Sequence, residues 1–199
     1  MKVGAVVLAA GDSSRFGTPK QLAIFQGEPL VRRTVIAANE AGCAPVVVVL
    51  GADAALIAPV LAGLPVSIIQ HSNWANGMGS SITVGLKRAL AMAPNMDAAI
   101  LLACDQPFVN ATALKQMVQL HFQNEKPIVA SAYAETLGIP VLFNRSCFGD
   151  LVQLRGDSGA KAMILARQTD VTEFDFPAAA IDVDTATDYE KLNRVSSCR

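Results

Sequence analysis

Short runs of aliphatic and β-branched residues alternate with longer helical patterns along most of this chain. "VGAVVLAA" (3–10), "VVVVL" (46–50), "VSIIQ" (66–70), "AAILLA" (98–103) and "PIVASAY" (127–133) read as strands. Residues 29–42, 53–62, 79–93 and 111–123 between them read as helices, with Asn110 as the N-cap of the last. Strands that are apolar on both faces and separated by helices predict an α/β fold, a parallel sheet covered on both sides. In such sheets ligands collect at the carboxyl ends of the strands. Chemically active residues are therefore expected immediately after strands.

From about residue 133 the rhythm weakens. "GIPVLF" (138–143), a helix near 144–151, "GDSGAKAMILAR" (156–167), "TEFDF" (172–176) and "AIDVD" (180–184) suggest a sheet edge or a small β extension. A last helix, "TATDYEKLNRV", follows. The 199 residues fit one domain, and no internal repeat or linker interrupts them. With 52% hydrophobic and 17% charged residues, the chain can bury a proper core.

A net charge of −1 provides no global attraction to nucleic acid or to an anionic membrane, so any phosphate binding must be local. The apolar stretch 44–69 is broken by Gly51, Asp53, Pro59, Gly63 and Pro65, which makes it a buried β-α-β unit and not a membrane span. Cys43, Cys104, Cys147 and Cys198 contain no C-x-x-C pair, which suits a reducing cytoplasm better than a disulfide framework. No signal-peptide pattern precedes the first strand.

"LAAGDSSRFGTPK" (8–20) follows the first strand. Gly11 and Gly17 permit positive φ and close approach to a ligand, Ser13 and Ser14 supply hydroxyls, and Arg15 and Lys20 supply charge. Together they suit a polyphosphate. Five residues separate Gly11 from Gly17 and Lys20 comes three later, so neither a Walker A loop nor G-x-G-x-x-G is present.

The fourth strand runs straight into "CDQP". A carboxylate there is costly to desolvate without a cation or donors, and Pro107 takes the chain out of the sheet. Asp105 should face the crevice; from spacing alone it either binds a cation or caps its own turn. In "AIDVDTATDY", period-2 alternation places Asp182 and Asp184 on one face and Ile181 and Val183 on the other. Either aspartate can serve as a second metal ligand, with Asp184 preferred, and Asp184 or Thr185 can also N-cap the last helix with Asp188 as a capping-box partner.

"NWANGMGSSI" (73–82) opens a helix: Gly77 and Gly79 permit close approach, Ser80 and Ser81 either cap or contact a ligand, and Trp74 reads as packing. His71 and His121 read as structural. In "RGDSGAK" (155–161), Asp157 by itself is an N-cap.

These stretches resemble a known family. "LAAGDSSRFGTPKQL" is similar to the signature L-A-(A/G)-G-x-(S/G)-x-R-(M/F/L)-G-x-x-K of nucleotidyltransferases, closest to the MobA-like branch that includes the molybdenum-cofactor cytidylyltransferases. "DQP", the D-(I/V)-D-T-x-x-D-Y ending and N-W-x-x-G-M-x-x-S match it as well. The resemblance implies a three-layer Rossmann-like nucleotidyltransferase fold. It implies that Leu8, Ala9, Ala10, Gly11, Ser13, Arg15 and Lys20 wrap a nucleoside triphosphate, with Arg15, Lys20 and Asp105 catalytic. Gly77, Ser80 and Ser81 would recognise the base, and Asp105 with Asp184 would hold Mg2+. Gly138, Pro140, Gly156, Asp157 and Gly159 would bind the acceptor. "LAAG" resembles the family's CTP users, and the implied acceptor is molybdopterin, with a molybdoenzyme or chaperone receiving the product. One departure stands out: Ile139 occupies a position where many such cytidylyltransferases carry His. A sugar- or polyol-phosphate nucleotidyltransferase and a non-catalytic nucleotide-binding module are the rival readings.

Overall fold

The computed structural model describes residues 1–156 and 159–196. In chain order the elements are β1 (Val3–Ala9), a small hairpin of β2 (Ile24–Phe25) and β3 (Glu28–Pro29), α1 (Leu30–Glu40), β4 (Val46–Leu50), α2 (Ala54–Ile57), β5 (Ser67–Gln70), α3 (Met78–Met92), β6 (Ala98–Ala103) and α4 (Ala111–Gln123). Then follow β7 (Ile128–Tyr133), β8 (Thr136–Asn144), α5 (Phe148–Leu151), α6 (Ala160–Ala166), β9 (Val171–Asp175) and α7 (Ala186–Ser196). All five expected strands are present. Asn110 caps α4 as expected, its side chain accepting from the Ala113 N–H at 3.0 Å, a contact worth about 1 kcal/mol.

The main sheet has seven strands in the order β5-β4-β1-β6-β8-β7-β9. β1 pairs in parallel with β4 and β6, and β4 with β5. β8 is antiparallel to both β6 and β7, and β9 returns parallel to β7. The reason for the reversal is local. β7 and β8 are joined by Ala134 and Glu135, both at positive φ, a two-residue turn whose twist matches that of the strands. So short a connection cannot make the crossover that a parallel pair requires. The weaker rhythm after residue 133 therefore extends the same sheet, and "TEFDF" becomes its edge.

Period-2 alternation divides the core into two layers of packing. Val3, Ala5, Val7 and Ala9 of β1 face Val31 and Val35 of α1 and Leu114 and Met117 of α4. Val6 of β1, with Val47 and Val49 of β4, faces Ile82 and Leu86 of α3. Each buried Val, Leu, Ile or Met among them contributes about 1.5–3 kcal/mol. Gly85 lets α3 come close: a Cβ there would lie 2.4 Å from Val6 Cγ1.

"AIDVD" departs from the expected strand. Pro177–Ala180 form a 3-10 turn, and residues 181–184 are irregular. The proposed alternation fails at Ile181, which is 46% exposed while Val183 is buried. The backbone explains it: the Val183 N–H donates to the Asp105 carbonyl at 2.9 Å, so this segment docks on the end of β6. Val183 then plugs a small third core with Phe25, Leu30 and Leu192, against which Phe16 and Tyr189 pack. Thr185 and Asp188 form the capping box of α7: the Thr185 N–H donates to Asp188 Oδ2 (3.0 Å) and the Asp188 N–H to Thr185 Oγ (3.2 Å).

Candidate functional site

A cleft of about 340 Å3 opens at the carboxyl ends of β1 and β6. The register explains its position, because Leu8 pairs with Ala103 and Ala9 with Leu50. Three strand ends thus stop level, and the chain leaving each one lines the opening. Leu8, Ala9, Ala10, Gly11 and Lys20 form one wall, Ala103, Cys104 and Asp105 the floor, and Trp74, Gly77, Met78 and Ser81 the other wall.

The loop after β1 is folded by its own polar side chains. Ser13, at φ +54°, accepts at its carbonyl from the N–H groups of Phe16 and Gly17. Its hydroxyl donates to Gln21 Oε1 (3.1 Å) and accepts from the Lys20 N–H (3.0 Å). Gln21 is buried, and its Nε2 donates to the carbonyls of Ala9 (3.2 Å) and Gly11 (2.9 Å). A Cβ on Gly11 would meet no protein atom, so glycine here leaves the cleft open. Phe16 sets the far end of the loop against Tyr189, edge to face at 5.8 Å.

These contacts deliver Lys20 to the floor. Its Nζ donates to Asp105 Oδ2 and to Asp184 Oδ1, both at 2.7 Å. Arg15, 71% exposed at the rim, donates to the other Asp184 oxygen at 2.9 Å. Burial opposes the charge on Lys20, but Asp105 and Asp184 outweigh it and raise its pKa above the usual lysine range. The Lys20 hydrogen bond, helped by Arg15, holds the Asp184 carboxyl below the usual carboxylate range. Asp182 goes the other way, raised by burial and by the negative charges of Asp184 and Asp105.

The Asp105 and Asp184 oxygens therefore converge on the Lys20 ammonium beside the cleft. That donor set fits a hard divalent cation, which takes oxygen ligands and commonly uses one or two carboxylates plus substrate phosphate and water. Among the described residues no cluster of three His, Cys, Asp or Glu could hold a metal alone; a nucleotide would have to complete the coordination.

The far wall is tied to the acceptor-side segments. The Gly79 N–H donates to the Gly156 carbonyl at 3.0 Å, and a Cβ on Gly159 would lie 2.8 Å from Met78 Sδ. Gly156 and Gly159 thus back directly onto the start of α3, whose positive dipole end faces the cleft. Gly138 and Pro140 lie on β8, beside β6. Asp157 lies outside the described residues. Ser80 does not line the cleft: its hydroxyl donates to the Gly77 carbonyl (2.7 Å) and meets His71 Nε2 (2.8 Å), which also gives His71 its structural partner. Trp74 both packs against the core and lines the cleft, where only packing was expected.

Sequence reasoning missed Gln21. Its one signal was a polar residue immediately after the lysine, at the start of a short 3-10 turn. Gln21→Leu is expected to lower the unfolding free energy by about 1–2 kcal/mol, because it takes the donor from the buried Ala9 carbonyl and from the part-buried Gly11 carbonyl. A urea titration checks this; a midpoint within error of the parent would show that the loop needs no such anchor.

Comparison with known proteins gives the family. Residues 5–171 match the model of the MobA-like NTP transferase domain family. A protein named nicotine blue oxidoreductase, from Paenarthrobacter nicotinovorans, is 27% identical over 201 residues, covering 96% of both chains. Among solved structures, the Mycobacterium sp. strain JC1 homologue of Rv0371c is 30% identical, covers 100% of both chains and superposes with a TM-score of 0.82. Rv0371c of Mycobacterium tuberculosis H37Rv, solved in complex with manganese, is 28% identical with a TM-score of 0.76, over 96% of this chain and 98% of that one. The first-strand loop and the β6 aspartate, placed by the fold at one cleft, lie within the matched span, and the chain belongs to the MobA-like NTP transferase domain family.

Proposed function

We propose that this protein transfers CMP from CTP to the phosphate of molybdopterin, releasing pyrophosphate. A phosphate oxygen of the acceptor bonds to the α-phosphorus, and the bond from that phosphorus to the β-phosphate bridging oxygen breaks. One observation carries the reading: a lysine ammonium and two carboxylates share a point at the end of β6, beside a glycine-opened cleft. Such transfers need alignment and charge neutralisation more than covalent help.

In this reading Leu8, Ala9, Ala10, Gly11 and Lys20 bind the nucleotide from one side, and Gly77 and Ser81 from the other. Ser13 shapes the loop, and Ser80 holds the opening of α3 against His71. Lys20 and Arg15 offset charge that builds on the departing pyrophosphate. Asp105 and Asp184 would hold Mg2+, which would supply positive charge to offset the charge that builds during transfer. No side chain has to act as a general base, because the acceptor phosphate is already anionic. Gly138, Pro140, Gly156, Asp157 and Gly159 belong to the acceptor side, and a molybdoenzyme or its chaperone would receive the product. The manganese complex of Rv0371c supports a divalent cation.

Ile139 favours a second reading. Its side chain packs on the core layer under α3, so an apolar group stands where many relatives of the resembling branch carry His. That departure leaves a sugar or polyol phosphate as the rival acceptor. Purified protein is incubated with Mg2+, with CTP, GTP or ATP in turn, and with molybdopterin or a panel of sugar and polyol phosphates. Pyrophosphate release and product mass are then read. A CMP-molybdopterin mass supports the first reading, and a nucleoside-diphospho sugar or polyol the second. Nucleotide binding without pyrophosphate from any acceptor overturns transfer and leaves a binding module.

A further inference from the structure

Gln106 follows Asp105 and is one of the few polar side chains buried in this protein, 6% exposed. Both N–H groups of its carboxamide are used: Nε2 donates to the Ile139 carbonyl at 2.8 Å and to the Ala179 carbonyl at 2.9 Å. The first carbonyl belongs to β8 on the acceptor side. The second belongs to the 3-10 turn that leads into residues 181–184. Asp105 reaches the same segment through its own carbonyl, which accepts from the Val183 N–H at 2.9 Å. Two adjacent residues at the end of β6 therefore fasten the segment that carries Asp184.

The rest of the carboxamide is enclosed as well: Gln106 Oε1 is buried. Its neighbour is the Tyr133 side chain, whose hydroxyl would lie 2.2 Å from a Cβ on Gly138. Gly138 thereby makes room for that tyrosine.

Resting on the transfer reading above, we propose that Gln106 is a positioning residue: by pinning Ile139 and Ala179 to the end of β6 it sets the spacing of Asp105 and Asp184, and with it their affinity for a divalent cation. The residue touches neither cation nor nucleotide. Side chains that hold metal ligands in place from behind typically change metal affinity by about 10–100-fold when lost.

The test measures Mn2+ binding by calorimetry to the full chain with CTP and no acceptor, so that no turnover is needed. Gln106→Met, of similar length but without donors, is expected to weaken Mn2+ binding at least tenfold. CTP affinity measured without metal should stay within about twofold, and pyrophosphate release should recover toward the parent rate at saturating Mn2+. If that variant does not fold, Gln106→Asn is read in the same way, since it keeps a carboxamide but is one methylene short of both carbonyls. Unchanged Mn2+ affinity with a lowered melting temperature in the folded variant would overturn the proposal, leaving a core hydrogen bond only. So would a parent protein that binds no Mn2+. A parent that binds Mn2+ but transfers nothing, with the variant still weakened, would sink the transfer reading and keep the positioning role.

Discussion

Asp105→Asn is expected to lower Mg2+-dependent pyrophosphate release by about a thousandfold or more while the protein stays folded. The substitution keeps shape and removes one charge from the carboxylate pair that meets the Lys20 ammonium. The Asp105 backbone, which accepts from Val183, is untouched, and Lys20 keeps its partner Asp184, so the melting temperature should move by only a few degrees. Metal titrations and single-turnover rates separate the two arms. Because the lost interaction matters most in the transition state, kcat should fall further than the CTP dissociation constant rises. Undiminished turnover would remove Asp105 from the metal site and leave it as a partner for Lys20.

Lys20→Ala should raise the CTP dissociation constant about 30–100-fold, the loss expected for a charge-assisted phosphate contact in a half-enclosed site. Its effect on folding should be far smaller. The two ion pairs it makes involve side chains 16–28% exposed, and partly solvated pairs contribute about 1 kcal/mol or less. The comparison of binding with stability is what gives the variant its force. A CTP affinity equal to the parent's, with a clear drop in melting temperature, would make Lys20 a structural clamp on Asp105 and Asp184. A parent-like response in both would mean that another cation, Arg15 first, takes its place.

Much of this architecture was legible before any coordinates. β-branched runs buried on both faces marked the central strands, because a strand inside a covered sheet has no polar face to show. Asn110 announced the start of α4 because a side-chain oxygen followed by a helical run has a definite N–H to accept from. The first-strand loop and Asp105 were legible for a different reason: they stand where an apolar strand stops, and polar groups there have either a ligand or a turn to serve. The direction of β8 was less visible, although the two residues between it and β7 contained the answer. The 181–184 segment misled because alternation in composition resembles a strand wherever it occurs. Only the Asp105 carbonyl, 78 residues earlier in the chain, explains why Val183 turns inward and Ile181 does not.

What the amino-acid order settled by itself is the set of local choices: which runs are strands, where helices begin, and which residue types stand at the strand ends. These depend on neighbours a few positions away, through side-chain period, caps and turns. Tertiary structure decided the pairings that give the cleft its chemistry. Arg15 meets Asp184 across 169 residues and Lys20 meets Asp105 across 85, while Ser80 spends its hydroxyl on His71 and not on the cleft. Hydrogen bonds and ion pairs reach only about 3 Å and depend on angle, so their partners become defined only after packing has brought distant segments together.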